Sequence, residues 1–128
     1  MGSKTELKNA SDPISERTAT SLFSRAFSQP LKLLKQSEAS LSSYAVFWCV
    51  ADNQGSTQVE ISRSTGLSAK TVSRVISLLG ETEDGKGWIR QELDAADRRV
   101  RRLFLSREGK KVLRRLLRDI DDFQGELI

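Results

Sequence analysis

Residues 57–80 carry the pattern that most restricts the fold of this chain. Thr57, followed by Glu60 three residues later, has the spacing of a capping box, in which each side chain satisfies a free amide at a helix start. Gly66 ends that short helix, because a residue without a β-carbon can turn the backbone through positive φ. Ser68 can cap the next helix. Two capped helices joined by a glycine turn predict a helix-turn-helix over 57–80.

The second of these helices, predicted over 68–79, has one apolar and one polar face. Its apolar residues recur at i, i+3, i+4 and i+7, which buries one side of a helix; they are Val72, Val75, Ile76 and Leu79. The other face has small or basic side chains and no acid: Ser68, Ala69, Lys70, Thr71, Ser73, Arg74 and Ser77. For an isolated helix, a solvated surface is the simpler interpretation. The helix-turn-helix spacing instead favours a recognition helix in the major groove of DNA.

After residue 87 the hydrophobic pattern changes from helical to alternating. Residues 88–93 and 100–105 therefore predict two β-strands, apolar at their base and polar at their tip. The loop between them, 94–99, is longer than a two-residue hairpin turn and ends in Arg98 and Arg99. A hairpin of this kind beside a helix-turn-helix predicts a wing over 88–105.

Positive charge is concentrated between Arg98 and Arg118. This stretch holds ten Lys or Arg residues and one acid, Glu108, in a chain whose net charge is only +4. Such a concentration next to a helix-turn-helix is typical of a surface that lies against phosphates. The sequence therefore predicts double-stranded DNA as the partner.

Composition leaves little room for enzymatic chemistry. With one cysteine and no histidine, the chain cannot form an internal disulfide, a thiolate or imidazole zinc site, or a histidine-based catalytic triad. We expect no catalytic residues, no metal ligands and no cofactor. Cys49 lies in an apolar helix without a basic neighbour, which favours a buried structural thiol over an oxidant sensor.

The remaining segments predict one small domain. Residues 1–11 are polar and predict a flexible N-terminal segment, while 12–128 are expected to form a single domain. Asp12-Pro13 predicts a helix start, Pro30 its end or a kink, residues 31–34 a short turn, and 42–52 a second helix. No apolar run approaches the roughly 18 residues of a membrane span, and no signal-peptide pattern is present. We therefore expect a cytoplasmic protein that does not enter a membrane.

Residues 41–113 resemble the winged helix-turn-helix regulators of the MarR (multiple antibiotic resistance regulator) type. The most specific part is 97–109, which matches the family pattern D-R-R, then L-x-L, then Thr or Ser, two residues and Gly. The resemblance implies a mainly α fold with a small antiparallel β-hairpin (α+β) and a sequence-specific transcriptional repressor. It also implies that Arg99 enters the minor groove and that Asp97 holds the wing loop, with Arg98 and Arg101 as further wing contacts.

Family members usually dimerise through their first helix and two long C-terminal helices, which also border an effector pocket. Here about 20 residues follow the wing and predict one helix over 106–121. We expect a smaller homodimer interface on the first and last helices, made by Phe23, Phe27, Leu116 and Ile120. Such a homodimer would bind a pseudo-palindromic duplex. The resemblance also leaves room for a small-molecule effector, which the sequence does not identify.

A second hypothesis remains open from the sequence. The winged helix could be a DNA-binding accessory or protein-interaction module of a larger replication or DNA-processing complex, in which a partner replaces the missing dimer contacts. The two hypotheses differ in whether the protein alone prefers one palindrome or binds all duplexes alike until a partner is added.

Overall fold

The computed structural model describes the backbone of residues 14–34 and 40–126, and the side chains of 14–28 and 40–118. Within these ranges five helices flank a two-stranded antiparallel hairpin, which confirms the predicted fold class. The elements are α1 (Glu16–Leu34), α2 (Leu41–Asp52), α3 (Gln58–Thr65), α4 (Ala69–Leu79), β1 (Ile89–Leu93), β2 (Arg101–Leu105) and α5 (Arg107–Glu126). The predicted flexible segment 1–11 and helix start at Asp12-Pro13 lie outside the described residues.

Helix α1 differs from its prediction at the C-terminal end. The helix runs through Pro30 to Leu34, so the predicted turn at 31–34 is wrong. Proline inside a helix removes one intrahelical hydrogen bond, but α1 packs along α5, and tertiary contacts commonly outweigh such a local cost. At its start, Ser15 accepts a hydrogen bond from the amide of Thr18 at 3.1 Å, as a helix N-cap does.

One apolar core joins the helices to the base of the hairpin. It contains Val46, Phe47, Val50, Ile61, Val72, Val75, Ile76, Leu79, Ile89, Leu103, Leu105, Val112 and Leu116. The predicted apolar stripe of α4 is confirmed, because all four of its members are buried. Trp48, Trp88 and Cys49 are half-buried against this core, so Cys49 is less buried than the sequence predicted.

The helix-turn-helix has the predicted caps, with one difference. The Thr57 hydroxyl oxygen accepts from the Glu60 amide at 3.3 Å, and the same hydroxyl donates to the Glu60 carboxylate at 3.1 Å. The Glu60 carboxylate thus accepts from the Thr57 hydroxyl, whereas in a capping box it would accept from the Thr57 backbone amide. Gly66 ends α3 at φ +78°, and Ser68 caps α4 by accepting from the Thr71 amide at 3.1 Å.

The hairpin is tied to the helices by backbone hydrogen bonds. Its strands pair in the register Ile89 with Leu105 through Leu93 with Arg101. The loop after α2 adds a bridge to β2, in which the Leu103 amide donates to Ser56 O at 2.8 Å and the Gly55 amide donates to Leu103 O at 2.7 Å. Strand β2 therefore has backbone partners on both of its edges.

The start of α5 explains the glycine of the wing motif. The Ser106 hydroxyl accepts from the Gly109 amide at 3.0 Å and donates to Gly87 O at 2.5 Å. A β-carbon on Gly109 would lie 2.1 Å from the carbonyl oxygen of Trp88. Only glycine fits this crossing of α5 over the strand base. The helix then continues to Glu126, beyond its predicted end at 121.

Candidate nucleic-acid interface

The packing of α4 against the core leaves its polar face exposed. The buried stripe on the opposite side fixes the helix to the core, and the N-cap at Ser68 orders its first turn. Exposed positions on the polar face are Ser68, Ala69, Lys70, Ser73, Arg74 and Ser77, while Thr71 is half-buried and accepts a hydrogen bond from the Ser68 hydroxyl. The face thus combines small side chains with two long cations, which suits close approach to base edges.

Two aspartates order the loop at the tip of the wing. Asp94 accepts hydrogen bonds from the amides of Ala96 and Asp97 at 2.7 and 3.1 Å. Asp97 accepts from the amide of Arg99 at 3.0 Å and also binds the Arg99 guanidinium, with Nε to Oδ1 at 3.1 Å and Nη2 to Oδ2 at 3.2 Å. Asp97 therefore fixes both the backbone and the side chain of Arg99.

A second arginine anchors the wing to the helical body. Arg102 Nε donates to Asp94 Oδ2 at 2.6 Å, and Arg102 Nη1 donates to Gly55 O at 2.9 Å. Gly55 lies in the loop between α2 and α3, so this one side chain links the wing loop to the segment that leads into the helix-turn-helix.

These contacts shift the acidity of both carboxyl groups. The hydrogen bond from Arg102, helped by the amides of Ala96 and Asp97, holds the pKa of Asp94 below its ordinary value. The hydrogen bond from the Arg99 side chain, with that of the Arg99 amide, lowers the pKa of Asp97 in the same way. Both side chains are accordingly carboxylates at neutral pH and can keep the loop ordered there.

The charge of the wing tip is exposed. Arg98, Arg99 and Arg101 all face solvent, and the Arg99 side chain is 91% exposed even while it contacts Asp97. At the base Ile89 and Leu103 are buried, whereas Leu93 near the tip is 52% exposed. The prediction of a packed base and a solvated tip is confirmed.

The basic run from Arg98 to Arg118 divides into two surfaces. One is the wing tip just described. The other is the outer face of α5, where the exposed cations are Arg107, Lys110, Lys111, Arg114, Arg115 and Arg118. Strand β2 runs from the tip to the base and α5 begins at the base, so the two groups lie at opposite ends of the hairpin. The sequence pattern suggested a single basic surface.

The structure brings together only part of the predicted dimer interface. Phe23 and Phe27 are 60% and 49% exposed on α1, with ring centroids 6.3 Å apart. Leu116 is only 6% exposed and belongs to the core of its own protomer, because it lies on the side of α5 that faces the other helices. The side chain of Ile120 lies outside the described residues.

Neither a membrane span nor a metal site is found in the described part of the chain, whose backbone covers 14–34 and 40–126. No helix there is long and apolar enough to cross a membrane. Among the described side chains, 14–28 and 40–118, no cluster of three or more acidic or cysteine residues could hold a metal ion.

Sequence reasoning missed Asp94 and Arg102. An aspartate directly after a strand is a common start for an Asx-type turn, so a signal for Asp94 was present. Arg102 had none, since its partner Gly55 is 47 residues away. Its position in a run of arginines suggested a role in binding rather than in support.

A short capped helix, a glycine turn, a second helix with a free basic face and an anchored basic hairpin together define a winged helix-turn-helix protein. No family model matches the chain. Among curated proteins, the transcriptional regulator HosA of Escherichia coli O127:H6 is 34% identical over 70 residues, which are 55% of this chain and 49% of HosA. The chain spans about half the length of the curated relatives it matches.

Solved structures extend the comparison over most of the chain. The S. aureus MepR–DNA complex has a TM-score of 0.66 at 20% identity and covers 84% of this chain and 83% of MepR. MarR has a TM-score of 0.58 at 20% identity and covers 85% of this chain and 77% of MarR. The chain thus shares the winged helix-turn-helix fold of these proteins, and the resemblance that the wing motif predicted is confirmed for the fold.

Proposed function

We propose that this chain is a sequence-specific, double-stranded DNA-binding transcriptional regulator, with residues 12–128 as its DNA-binding domain. The observation that carries the proposal is the acid-free face of α4, which is exposed while the opposite face is locked into the core. In this arrangement α4 enters the major groove and the wing loop 94–99 enters the adjacent minor groove. The likeness to MepR, whose structure was solved with DNA, supports the same assignment.

The two elements have different tasks in this proposal. Base pairs display distinct donor and acceptor patterns in the major groove, so the sequence is read by Lys70, Thr71, Ser73 and Arg74. The minor groove distinguishes little beyond A·T from G·C, so Arg99 contributes affinity and groove shape more than sequence. Arg98, exposed beside it, contacts a phosphate.

We further propose that the regulator is a cytoplasmic repressor without enzymatic activity and acts as a homodimer. Phe23 and Phe27 form an exposed aromatic patch of the kind that a protein partner covers. Two-fold symmetry would place two α4 helices in major grooves about 10 base pairs apart and make the preferred site a pseudo-palindrome. A monomeric mass at micromolar concentration, with footprinting of a single half-site, would contradict this part.

The test of DNA recognition is selection from a random duplex library by the purified protein, followed by nuclease protection on the enriched sequence. The proposal predicts one enriched pseudo-palindrome that is protected at salt concentrations where random duplex is not. Equal binding to all duplexes until a partner protein is added would instead support an accessory module of a DNA-processing complex. No binding to any duplex would contradict both DNA-binding functions and leave only the protein-interaction module.

A further inference from the structure

The outer face of α5 carries positive charge that the proposed function does not use. Six exposed cations lie between residues 107 and 118: Arg107, Lys110, Lys111, Arg114, Arg115 and Arg118. The one acid of this stretch, Glu108, binds Lys111 at 3.2 Å. The other five cations make no ion pair with any residue that the structure describes. Their charges can therefore bind a partner without breaking an internal contact.

This arrangement of charges works against the stability of the helix. Like charges four residues apart repel each other on a helix surface. The outer face of α5 has four such pairs, which are Arg107/Lys111, Lys110/Arg114, Lys111/Arg115 and Arg114/Arg118. Arg107 and Lys110 also lie in the first turn, where the helix dipole disfavours positive charge. A polyanion bound along the face would relieve both effects, so polyanion binding accounts for a pattern that folding alone disfavours.

The side chains around the cations indicate which polyanion fits. The apolar side of α5 is buried in the core through Val112 and Leu116, so it cannot insert into a membrane surface. Protein interfaces have an apolar or aromatic centre, whereas Leu117, 41% exposed, is the one exposed apolar side chain in 107–118. This stretch has no aromatic residue on which the bases of a single strand could stack. A DNA duplex needs none of these features, because its phosphates lie on the outside.

The outer face of α5 lies away from the duplex that α4 is proposed to read. Strand β2 covers five residues, which rise about 3.4 Å each and separate the wing tip from the base by about 17 Å. Arg107 follows the base, so the nearest cation of the face is farther from the tip than one arginine side chain can span. The phosphates beside the wing tip are therefore out of its reach, and a separate duplex is needed to cover the face.

We infer that the outer face of α5 binds the backbone of a second DNA duplex, so that one protein molecule holds two duplexes at once. The inference rests on the proposed function for the first duplex alone. Arg107, Lys111, Arg114 and Arg118 have the spacing i, i+4, i+7 and i+11, which forms a row about 16.5 Å long on one side of the helix. Since a duplex carries one charge per about 1.7 Å of its axis, such a row meets several phosphates. Phosphate contacts of this kind carry no sequence information.

The experiment uses two duplexes that differ in label and sequence. The selected duplex, trimmed to the length that nuclease protection defines, is immobilised and loaded with protein, and a labelled random duplex is then added over a series of salt concentrations. The wild type should retain the labelled duplex, less so as salt rises. Arg107→Glu/Arg114→Glu should weaken this second binding at least about tenfold and change the affinity for the selected duplex less than about twofold. Arg107→Lys/Arg114→Lys keeps both charges, and as the matched control it should retain the labelled duplex.

The same variant separates a loss of binding from a loss of folding. Arg107→Glu/Arg114→Glu turns three of the four repelling pairs into attractive ones, so its melting temperature should equal or exceed that of the wild type. The expected result is thus a protein at least as stable as the wild type that no longer retains the second duplex. Full retention by this variant, an equal loss in the lysine control, or no retention by the loaded wild type would overturn the inference.

Two further results identify a different partner or a different function. Unlabelled duplex should displace the labelled duplex more effectively than poly-glutamate at the same concentration of charge, because a duplex releases condensed counterions when it binds. Equal displacement would assign the face to acidic protein segments and overturn the inference. If the wild type enriches no sequence from the random library but binds random duplex in a way that Arg107→Glu/Arg114→Glu abolishes, the proposed function fails and the inference about α5 stands.

Discussion

Helix α4 and the wing offer basic side chains to the same proposed ligand, but different forces hold them in place. Four buried apolar side chains fix α4, and the N-cap at Ser68 orders its first turn. The tip of the wing has no such core. It is ordered by carboxylates and arginines that are themselves near the binding surface, above all Asp94, Asp97 and Arg102.

In α4, the side chains that stabilise the helix differ from those proposed to recognise DNA. In the wing, the side chains that order the loop lie close to those proposed to bind DNA. Side chains on the face of α4 can change without opening a cavity, so sequence preference can vary freely there. In the wing, replacing Asp94, Asp97 or Arg102 alters the charge and the order of the loop together. We therefore expect the wing to contribute similar affinity on every DNA sequence, and α4 to discriminate between sequences.

The largest expected effect is at the base of the wing. Leu103→Ala removes a fully buried side chain and should lower the free energy of unfolding by about 3 kcal/mol, because the cavity cannot close between strand and helices. Leu93→Ala, in the same hairpin but 52% exposed, should change it by less than about 0.5 kcal/mol. Chemical denaturation of both variants measures the contrast, and similar losses would mean that the tip is packed as firmly as the base.

The next effect concerns binding and leaves stability alone. Arg99→Ala should weaken binding to DNA by about 1–3 kcal/mol, since an exposed cation is lost from the minor groove. Its melting temperature should stay within error of the wild type. Arg115→Ala removes an exposed charge from α5 and serves as the matched control. Titration at one fixed salt concentration compares the three proteins, and equal losses in the two variants would show that only total charge matters.

A smaller loss of stability is expected at Arg102, which anchors the wing loop near the proposed DNA-binding surface. Arg102→Ala removes the hydrogen bonds to Asp94 and to Gly55 O, and should lower the free energy of unfolding by about 1 kcal/mol. Hydrogen exchange should become faster at the amides of Ala96 and Asp97, which Asp94 holds. Unchanged protection at those amides would show that the loop is ordered without the anchor.

The smallest effect is the response of the wing to acid. The pKa values of Asp94 and Asp97 are both lowered, so the contacts they make are fully present above the ordinary carboxyl pKa of about 3.9 and are lost as the pH falls through the lowered values. NMR titration of the amides of Ala96 and Arg99 should therefore show no change between pH 8 and about pH 5. A transition with its midpoint above 4 would contradict the loop contacts, and Asp94→Asn identifies which carboxyl is responsible.

The sequence was sufficient for α4 and for the outline of the hairpin, because both depend on local periodicity and on caps within a few residues. Ser68, Gly66 and the stripe from Val72 to Leu79 lie where the pattern placed them. Pro30 misled the prediction because proline is unfavourable inside a helix, whereas α1, which packs along α5, continues through it to Leu34. Leu116 misled the prediction of the dimer interface, because an apolar stripe shows that a helix face is buried without showing whether the partner is the same chain or another.

The site was predicted in the same uneven way. The exposed face of α4 and the arginines of the wing tip followed from residue type and spacing. The anchor through Arg102 did not, since nothing local to either residue relates it to Gly55. Similarly, the division of the basic run into two surfaces depends on where β2 ends and α5 begins in space.

The most direct test of the account is a paired titration of Arg74→Ala and Arg99→Ala on the selected duplex and on random duplex at one salt concentration. Arg74→Ala should lose about 1–3 kcal/mol on the selected site and less on random duplex, so the ratio of the two affinities falls. Arg99→Ala should weaken both more evenly and leave the ratio close to that of the wild type. If Arg74→Ala lowers both affinities by the same factor, Arg74 acts only as a phosphate clamp, and α4 does not read the sequence.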